Sequence, residues 1–192
     1  MGRLRVNMDH TTELEYIRQI LDGETRLFAY FLREYGDPVY RLIRKIVESP
    51  EESEELTQDV FMRAFKKLSS FKADSRFSTW LYRIAYNVAV SKVRVKKVVY
   101  PAVSEEAMSR IPDDESDRLL EGDGHEEQLA RLERAVGELP EEERLLLHLY
   151  YLEERSVAEI GTIMDLGESN VKIRLHRTRK KLAVMIKYRE DE

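Results

Sequence analysis

Apolar residues recur along this chain at three- and four-residue steps, and the recurrence lapses in one long central stretch. Leu14, Ile17 and Leu21 open the pattern. Leu27, Phe28, Phe31, Leu32 and Tyr35 follow, then Val39, Leu42, Ile43, Ile46 and Val47. Leu56, Val60, Phe61, Ala64, Phe65 and Leu68 continue it, as do Leu81, Ile84, Ala85, Val88 and Ala89. That spacing paints one face of an α-helix each time. A weak alternation over 93–99 is the nearest approach to a strand signal. From Val99 to about Glu127 the period disappears, and Pro101, Pro112, Gly122 and Gly124 interrupt a run of ten acidic residues against two basic ones, net −8 over 101–127. Such a stretch lacks the apolar surface needed to offset the entropy of ordering it. Helical spacing returns with Leu129, Leu132, Ala135, Val136 and Leu139, then Leu145, Leu146, Leu149 and Leu152. The predicted fold is all-α: two small helical domains over 11–98 and 128–187, joined by an extended acidic linker over 99–127.

Local signals set the expected boundaries. Thr12-Glu13-Leu14-Glu15 and Ser156-Val157-Ala158-Glu159 read as capping boxes. Gly36-Asp37-Pro38 is expected to break a helix, because proline disfavours helical backbone in the residue before it. Ser49-Pro50 is a second break, with Ser53 as the next cap, and another helix is expected from about Ser78. Pro140 suits a first helical turn, with Glu141, Glu142 and Glu143 at the positive end of the helix dipole.

Charge is segregated. Residues 56–100 hold ten basic residues against Asp59 and Asp74, whereas 101–143 hold four against fifteen acids. Basic character returns over 168–189, with eight bases against Glu168 alone. Two basic stretches flanking an acidic one suit two contacts with a polyanion, although solvated helix faces give the same signature.

The second basic stretch has the sharper pattern. Val157, Ile160, Ile163 and Met164 make a short amphipathic helix, with Gly161 small enough for a second helix to approach. Asp165-Leu166-Gly167 is a tight turn. A longer helix then buries Val171, Leu175, Thr178 and Leu182. Two helices about a short turn, the second basic, describe a helix-turn-helix. Ser169, Asn170, Lys172, Ile173 and His176 fall where such a helix meets base edges in the major groove, and Arg177, Arg179 and Lys180 where it meets phosphates. Arg174 and Lys181 flank them.

The first basic stretch interleaves aromatics: Phe71, Lys72, Arg76, Phe77, Trp80, Tyr82, Arg83 and Tyr86, then Lys92, Arg94, Lys96 and Lys97. Cations track a phosphate backbone while aromatic faces stack on unpaired bases. Ser78, Thr79 and Asn87 suit the edge of an extruded base. Some of these aromatics must build a core. Tyr82 and Phe71 are the first candidates, and Trp80 suits either role.

The remaining composition excludes other chemistry. Cys is 0, which removes disulfides, thiolate nucleophiles and cysteine-held metals. His10, His125, His148 and His176 lack paired ligand spacing, His148 reads as a core-edge residue, and no glycine-rich phosphate loop is present. No catalytic residue, metal or cofactor is expected. No run approaches the roughly 18 apolar residues of a membrane helix, and Met1–Val6 lacks a signal-peptide core, so a cytoplasmic location is expected.

In this order, the motifs closely resemble the bacterial RNA polymerase sigma factors of the extracytoplasmic-function (ECF) group, over about 17–185. Asp37-Pro38-Val39-Tyr40-Arg41-Leu42 resembles the first conserved helix region of sigma domain 2. The stretch from Glu54 to Phe61 resembles the segment that grips the β′ clamp coiled coil, which implies polymerase contacts at Glu54, Glu55, Leu56, Gln58, Asp59, Phe61 and Met62. Asp59 stands where glutamate is usual, keeping the charge with a shorter reach. Ser70-Phe71-Lys72 with Phe77-Ser78-Thr79-Trp80-Leu81-Tyr82-Arg83-Ile84-Ala85-Tyr86-Asn87 resembles the −10 recognition and melting segment. The resemblance implies DNA contacts at Lys72, Arg76, Phe77, Ser78, Thr79, Trp80, Arg83, Tyr86, Asn87, Lys92 and Arg94. Arg83 and Ile84 replace the tryptophan pair of housekeeping sigma factors, as is usual in this group, implying weaker intrinsic melting. Leu139 to Lys181 resembles sigma domain 4, the reader of the −35 element, with Gly167 and Asn170 where a serine-type cap and a threonine are common. The implied partners are core RNA polymerase (β′ clamp and β flap), promoter DNA and an anti-sigma factor. The linker either threads the polymerase cleft or serves as a self-repelling tether. A helix-turn-helix regulator with an N-terminal dimerisation or sensing domain is the alternative. It explains 156–182 equally well but leaves the Phe-Ser-Thr-Trp block unaccounted for.

Overall fold

The computed structural model describes residues 10–93, 103–112 and 126–187, the side chains of 126–128 excepted. Readings made for Arg94, Lys96, Lys97, His125, the alternation over 93–99 and most of 99–127 lie outside the described residues. The described residues contain helices and turns and no strand. None of their helices is long and apolar enough to cross a membrane. The chain divides into two compact units, Met1–Arg94 with Thr162–Met164, and Val95–Gly161 with Asp165–Glu192.

In the first unit α1 (His10–Leu21), α2 (Phe28–Arg44), α3 (Pro50–Lys66) and α4 (Phe77–Val93) are joined by short turns, and α2, α3 and α4 pack on one another. The periodic stripes meet in a core that includes Phe31, Val39, Leu42, Ile43, Val60, Ala64, Leu81, Tyr82 and Ala85. The break expected at Gly36-Asp37-Pro38 does not occur: α2 runs through Pro38. An internal proline costs about 3 kcal/mol. Here Phe31, Val39, Leu42 and Ile43 are wholly buried on one continuous stripe, and burying four such side chains is worth more than the lost hydrogen bond. The next cap also differs from expectation. Ser49 is the N-cap, its Oγ accepting from the Glu52 N–H at 3.1 Å, with Pro50 as the first helical residue. Ser53 is buried inside α3, its hydroxyl donating to the Ser49 carbonyl at 2.7 Å.

The first expected capping box is also absent. Thr12 lies within α1, and Glu13 is buried, accepting a hydrogen bond from the Tyr35 hydroxyl. His10 Nδ1 lies 3.7 Å from its other carboxylate oxygen. Burial raises the Glu13 pKa above its ordinary 4.5 against the opposing pull of Tyr35, His10 and Arg76. The folded state therefore favours the protonated acid. Its stability contribution is full at low pH and declines as pH rises through the raised value. Glu13→Gln, which keeps the shape and an acceptor for Tyr35, is expected to melt a few degrees above wild type at neutral pH. That gap should close on acidification toward 4.5, as thermal melts across pH would register.

The second unit contains α5 (Glu105–Ser109), α6 (Glu126–Gly137), α7 (Glu141–Leu147) continuing into a π-helical turn His148–Leu152, α8 (Val157–Met164) as far as Gly161, and α9 (Glu168–Lys187). Pro140 stands at the N-cap position of α7, one residue before its first turn. Ala135, Leu139, Leu145, Leu146, Leu149, Val171, Leu175 and Leu182 form the core, and His148 is buried beside Glu153. The capping box at α8 forms as expected: the Ser156 Oγ accepts from the Glu159 N–H at 3.2 Å, and the Glu159 carboxylate accepts from the Ser156 N–H at 3.0 Å.

One stretch of the acidic linker is folded. Ser104 caps α5, with Glu105 and Glu106 in its first turn. Met108 and Ile111 are buried in a cluster with Ala183 and Val184 of α9, with Val103 and Ala107 packed beside it. Of these four linker residues only Ala107 and Met108 lie within α5, with Val103 before its cap and Ile111 beyond its end, a pattern too short to stand out among prolines and acids.

Candidate nucleic-acid interface

The melting-segment resemblance falls on α4 and the turn before it. A helix whose inner face packs on two others can offer ligands only its outer face, and burial sorts the expected contacts accordingly. Lys72, Arg76, Arg83, Asn87 and Lys92 are exposed, and Trp80 is half-buried. Trp80, Arg83 and Asn87 fall at three- and four-residue steps along one outer stripe of α4. Phe77, Ser78, Thr79 and Tyr86 are buried. This corrects the expectation that they touch DNA directly; they pack the inner face that orients the outer one.

Aromatic contacts tie the stripe to the core. The Phe77 ring lies 4.4 Å from buried Phe31 and 5.6 Å from Trp80, which also meets Phe71 at 5.5 Å. Phe71 is only half-buried, so it shares the rim with Trp80 rather than the core assigned to it, whereas Tyr82 is fully buried as expected. The Asn87 amide donates to the Arg83 carbonyl at 2.9 Å, and Lys92 pairs with Glu52 of α3 at 3.5 Å.

On α3 the outer stripe carries Glu54, Glu55 and Gln58, all exposed, and Met62, 56% exposed. Phe65, absent from the expected set, extends it at 41% exposure although its period falls with the buried stripe. Leu56 and Asp59 are half-buried, and Asp59 pairs with Arg63 at 2.9 Å. Phe61 is buried, which corrects its assignment to the polymerase-facing surface: it packs against Phe28 instead.

In the second unit the expected buried stripe of α9 (Val171, Leu175, Thr178 and Leu182) is inside. Ser169, Asn170, Lys172, Ile173 and Arg177 are exposed, and His176, Arg179 and Lys180 are intermediate. Ile173, 57% exposed, is an apolar side chain on an otherwise polar face, suited to a thymine methyl. The turn before α9 explains Gly161. A Cβ there would stand 2.7 Å from the Leu166 carbonyl oxygen, so the close approach is by turn backbone, not by a second helix. Asp165 adopts the left-handed conformation, φ 58°, to make that turn.

Several α9 cations are engaged within the unit, which the charge count had not revealed. Arg174 reaches Glu142 at 2.9 Å, Lys181 reaches Glu143 at 3.1 Å, and Arg177 pairs with Glu105 of the linker helix. Arg179 donates to the Tyr151 hydroxyl at 3.3 Å. The acids at the start of α7, read only as dipole partners, thus also brace the basic helix. Among the described residues no cluster of histidines or carboxylates is arranged to hold a metal ion.

Both units match known protein families. Residues 31–98 match the family model Sigma-70 region 2, and 129–182 match Sigma-70, region 4. The chain is 33% identical over 172 residues to the ECF RNA polymerase sigma factor SigW of Bacillus subtilis, covering 86% of this chain and 92% of that one. It is 28% identical over 173 residues to the RNA polymerase sigma-H factor of Pseudomonas aeruginosa, covering 86% and 89%. Two solved structures share the fold. CnrH in complex with the cytosolic domain of CnrY matches with TM-score 0.63 at 22% identity, covering 90% of this chain and 96% of that one. The sigma factor RpoE of Bartonella quintana, solved with the anti-sigma factor NepR, matches with TM-score 0.60 at 19% identity, covering 83% and 96%. The N-terminal match is to a sigma region and not to a dimerisation or sensing domain, which removes the regulator alternative. The chain belongs to the ECF RNA polymerase sigma factors.

Proposed function

We propose that this chain recruits core RNA polymerase to promoters without covalent chemistry of its own, through three surfaces on two domains, 11–98 and 128–187. The outer stripe of α3 (Glu54, Glu55, Gln58 and Met62, with Leu56 and Asp59 at its edge) docks on the polymerase clamp. Trp80 and Asn87 take up an unstacked base of the −10 element while Lys72, Arg76, Arg83, Lys92 and Arg94 neutralise phosphates. The start of α9 (Ser169, Asn170, Lys172, Ile173 and His176) reads the −35 duplex, with Arg177, Arg179 and Lys180 on its backbone. The Bartonella quintana relative is solved with an anti-sigma factor, and a regulator of that class is the natural partner for this chain. The site of action is with the polymerase in the cytoplasm.

The observation that carries this reading is the outer stripe of α4. A half-buried tryptophan stands beside an arginine and an asparagine, and the adjoining aromatics hold it in place. A solvated helix face has no need of a tryptophan. The test is open-complex formation with core polymerase at a cognate promoter, read by the reactivity of unpaired thymines. Trp80→Ala is expected to lower the open fraction by about tenfold or more, since stacking one base is worth about 1–3 kcal/mol. Asn87→Ala should instead relax preference at one −10 position. Open complexes that form normally in both variants would refute the assignment.

A further inference from the structure

The folded piece of the linker lies on the helix assigned to DNA reading. Met108 and Ile111 are buried against Ala183 and Val184 of α9 while the Glu105 carboxylate accepts from the Arg177 guanidinium. Arg177 is one of the side chains set against DNA phosphate. An arginine bonded to a carboxylate cannot at the same time make its full set of bonds to a phosphate. Beside the pair, an open cleft is lined by Glu105, Glu143, Arg177 and Lys181, with Glu143 holding Lys181 at 3.1 Å. Glu105 thus occupies Arg177 on the face where the DNA backbone would run, while Glu143 of α7 holds the flanking Lys181. Glu105 and Arg177 are 74% and 59% exposed, so the ion pair alone holds little. The apolar anchors keep it in place.

We propose that residues Val103–Ile111 are an autoinhibitory strap on α9, which engages Arg177 and must lift before this face can bind a DNA backbone. This rests on the DNA reading of α9 given above. Coupling is reciprocal: the strap weakens DNA binding by the factor by which DNA loosens the strap. Anything that draws the acidic segment away from α9 raises its affinity for duplex.

The full chain allows a test without knowledge of the promoter, because phosphate contacts ignore sequence. The probe is a short random-sequence duplex at low salt. Met108→Ser with Ile111→Ser removes the anchors without changing charge, so any tightening cannot come from net charge. It is expected to bind about tenfold more tightly, within the usual range of coupling between sites. Glu105→Gln, which keeps the anchors, should gain less. In wild type the amides of Met108 and Ile111, bonded to the carbonyls of Ser104 and Met108, should exchange faster once duplex saturates the protein. Adding Arg177→Ala to the released variant should erase most of the gain. If release brings no tightening while Arg177→Ala weakens wild type, the strap is refuted and the DNA reading stands. If Arg177→Ala changes nothing in the released variant, the DNA reading falls and the proposal with it.

Discussion

Gln58→Ala combined with Asp59→Ala is expected to reduce promoter-specific initiation about a hundred-fold at limiting core polymerase, the loss of two interface contacts worth about 2.8 kcal/mol together. The outer stripe of α3 pairs polar with large apolar side chains: Glu54, Glu55 and Gln58 lead to Met62, 56% exposed, and Phe65, 41% exposed. A solvated helix gains nothing by presenting methionine and phenylalanine to water, so the stripe has the character of a docking surface. The two substitutions should not contribute equally. Gln58 is exposed, whereas Asp59 already pairs with Arg63 at 2.9 Å one turn on. Asp59 must turn from Arg63 toward a partner, so Gln58→Ala alone should account for more than half of the loss. The fold should survive, because even a fully exposed pair of this i,i+4 kind contributes only about 0.3–0.5 kcal/mol and this one is still partly open to solvent. Fluorescence titration against core polymerase separates docking from later steps, and unchanged amide exchange at Val60 and Ala64 shows that the unit is intact. Isolated −35 binding should not change. Specific initiation that persists in the double variant would overturn the docking assignment.

The sequence carried the elements of both units where one strong signal dominated. The buried stripe of α9 and the Ser156–Glu159 capping box follow from spacing alone. Misreadings arose where two local rules competed. Pro38 is a helix breaker by backbone chemistry, but α2 passes through it because residues on both sides share one buried stripe. Ser49 and Ser53 are both capping residues; Pro50 decides for Ser49, since a proline is best tolerated as the first helical residue. The candidate sites were legible as segments and less so as side chains. Within Phe77–Asn87, inside and outside depend on the faces α2 and α3 present to α4, which no local pattern encodes. Phe77, Ser78, Thr79 and Tyr86 therefore joined the contact set although they are buried. The folded piece of the linker escaped because its helix is only five residues long, and its partners, Ala183 and Val184, lie more than seventy residues away.

Gly161→Ala is expected to destabilise the helix-turn-helix by about 2 kcal/mol or more, whereas Gly167→Ala, in the same motif, should be almost silent. The added methyl at Gly161 would stand 2.7 Å from the Leu166 carbonyl oxygen, and the obstacle is backbone, not the end of a flexible side chain. That backbone cannot easily retreat. The Leu166 N–H donates to the Gly161 carbonyl at 2.9 Å, so the colliding residues are also bonded to each other. Asp165 between them already holds φ 58°, a conformation that disfavours non-glycine residues. Moving Leu166 would break the bond or strain Asp165 further, and would displace the start of α9, where Ser169, Asn170 and Lys172 lie. Gly167 has open space where a Cβ would sit. Because the chain has two units, a single global transition is a poor readout. Amide exchange at Val171 and Leu175 reports α9 directly, and a loss of 2 kcal/mol appears there as about thirty-fold faster exchange. DNA binding by the second unit should fall with it in Gly161→Ala and persist in Gly167→Ala. Equal protection in the two variants would mean that the turn yields readily, and that the close approach at Gly161 does not position the recognition helix.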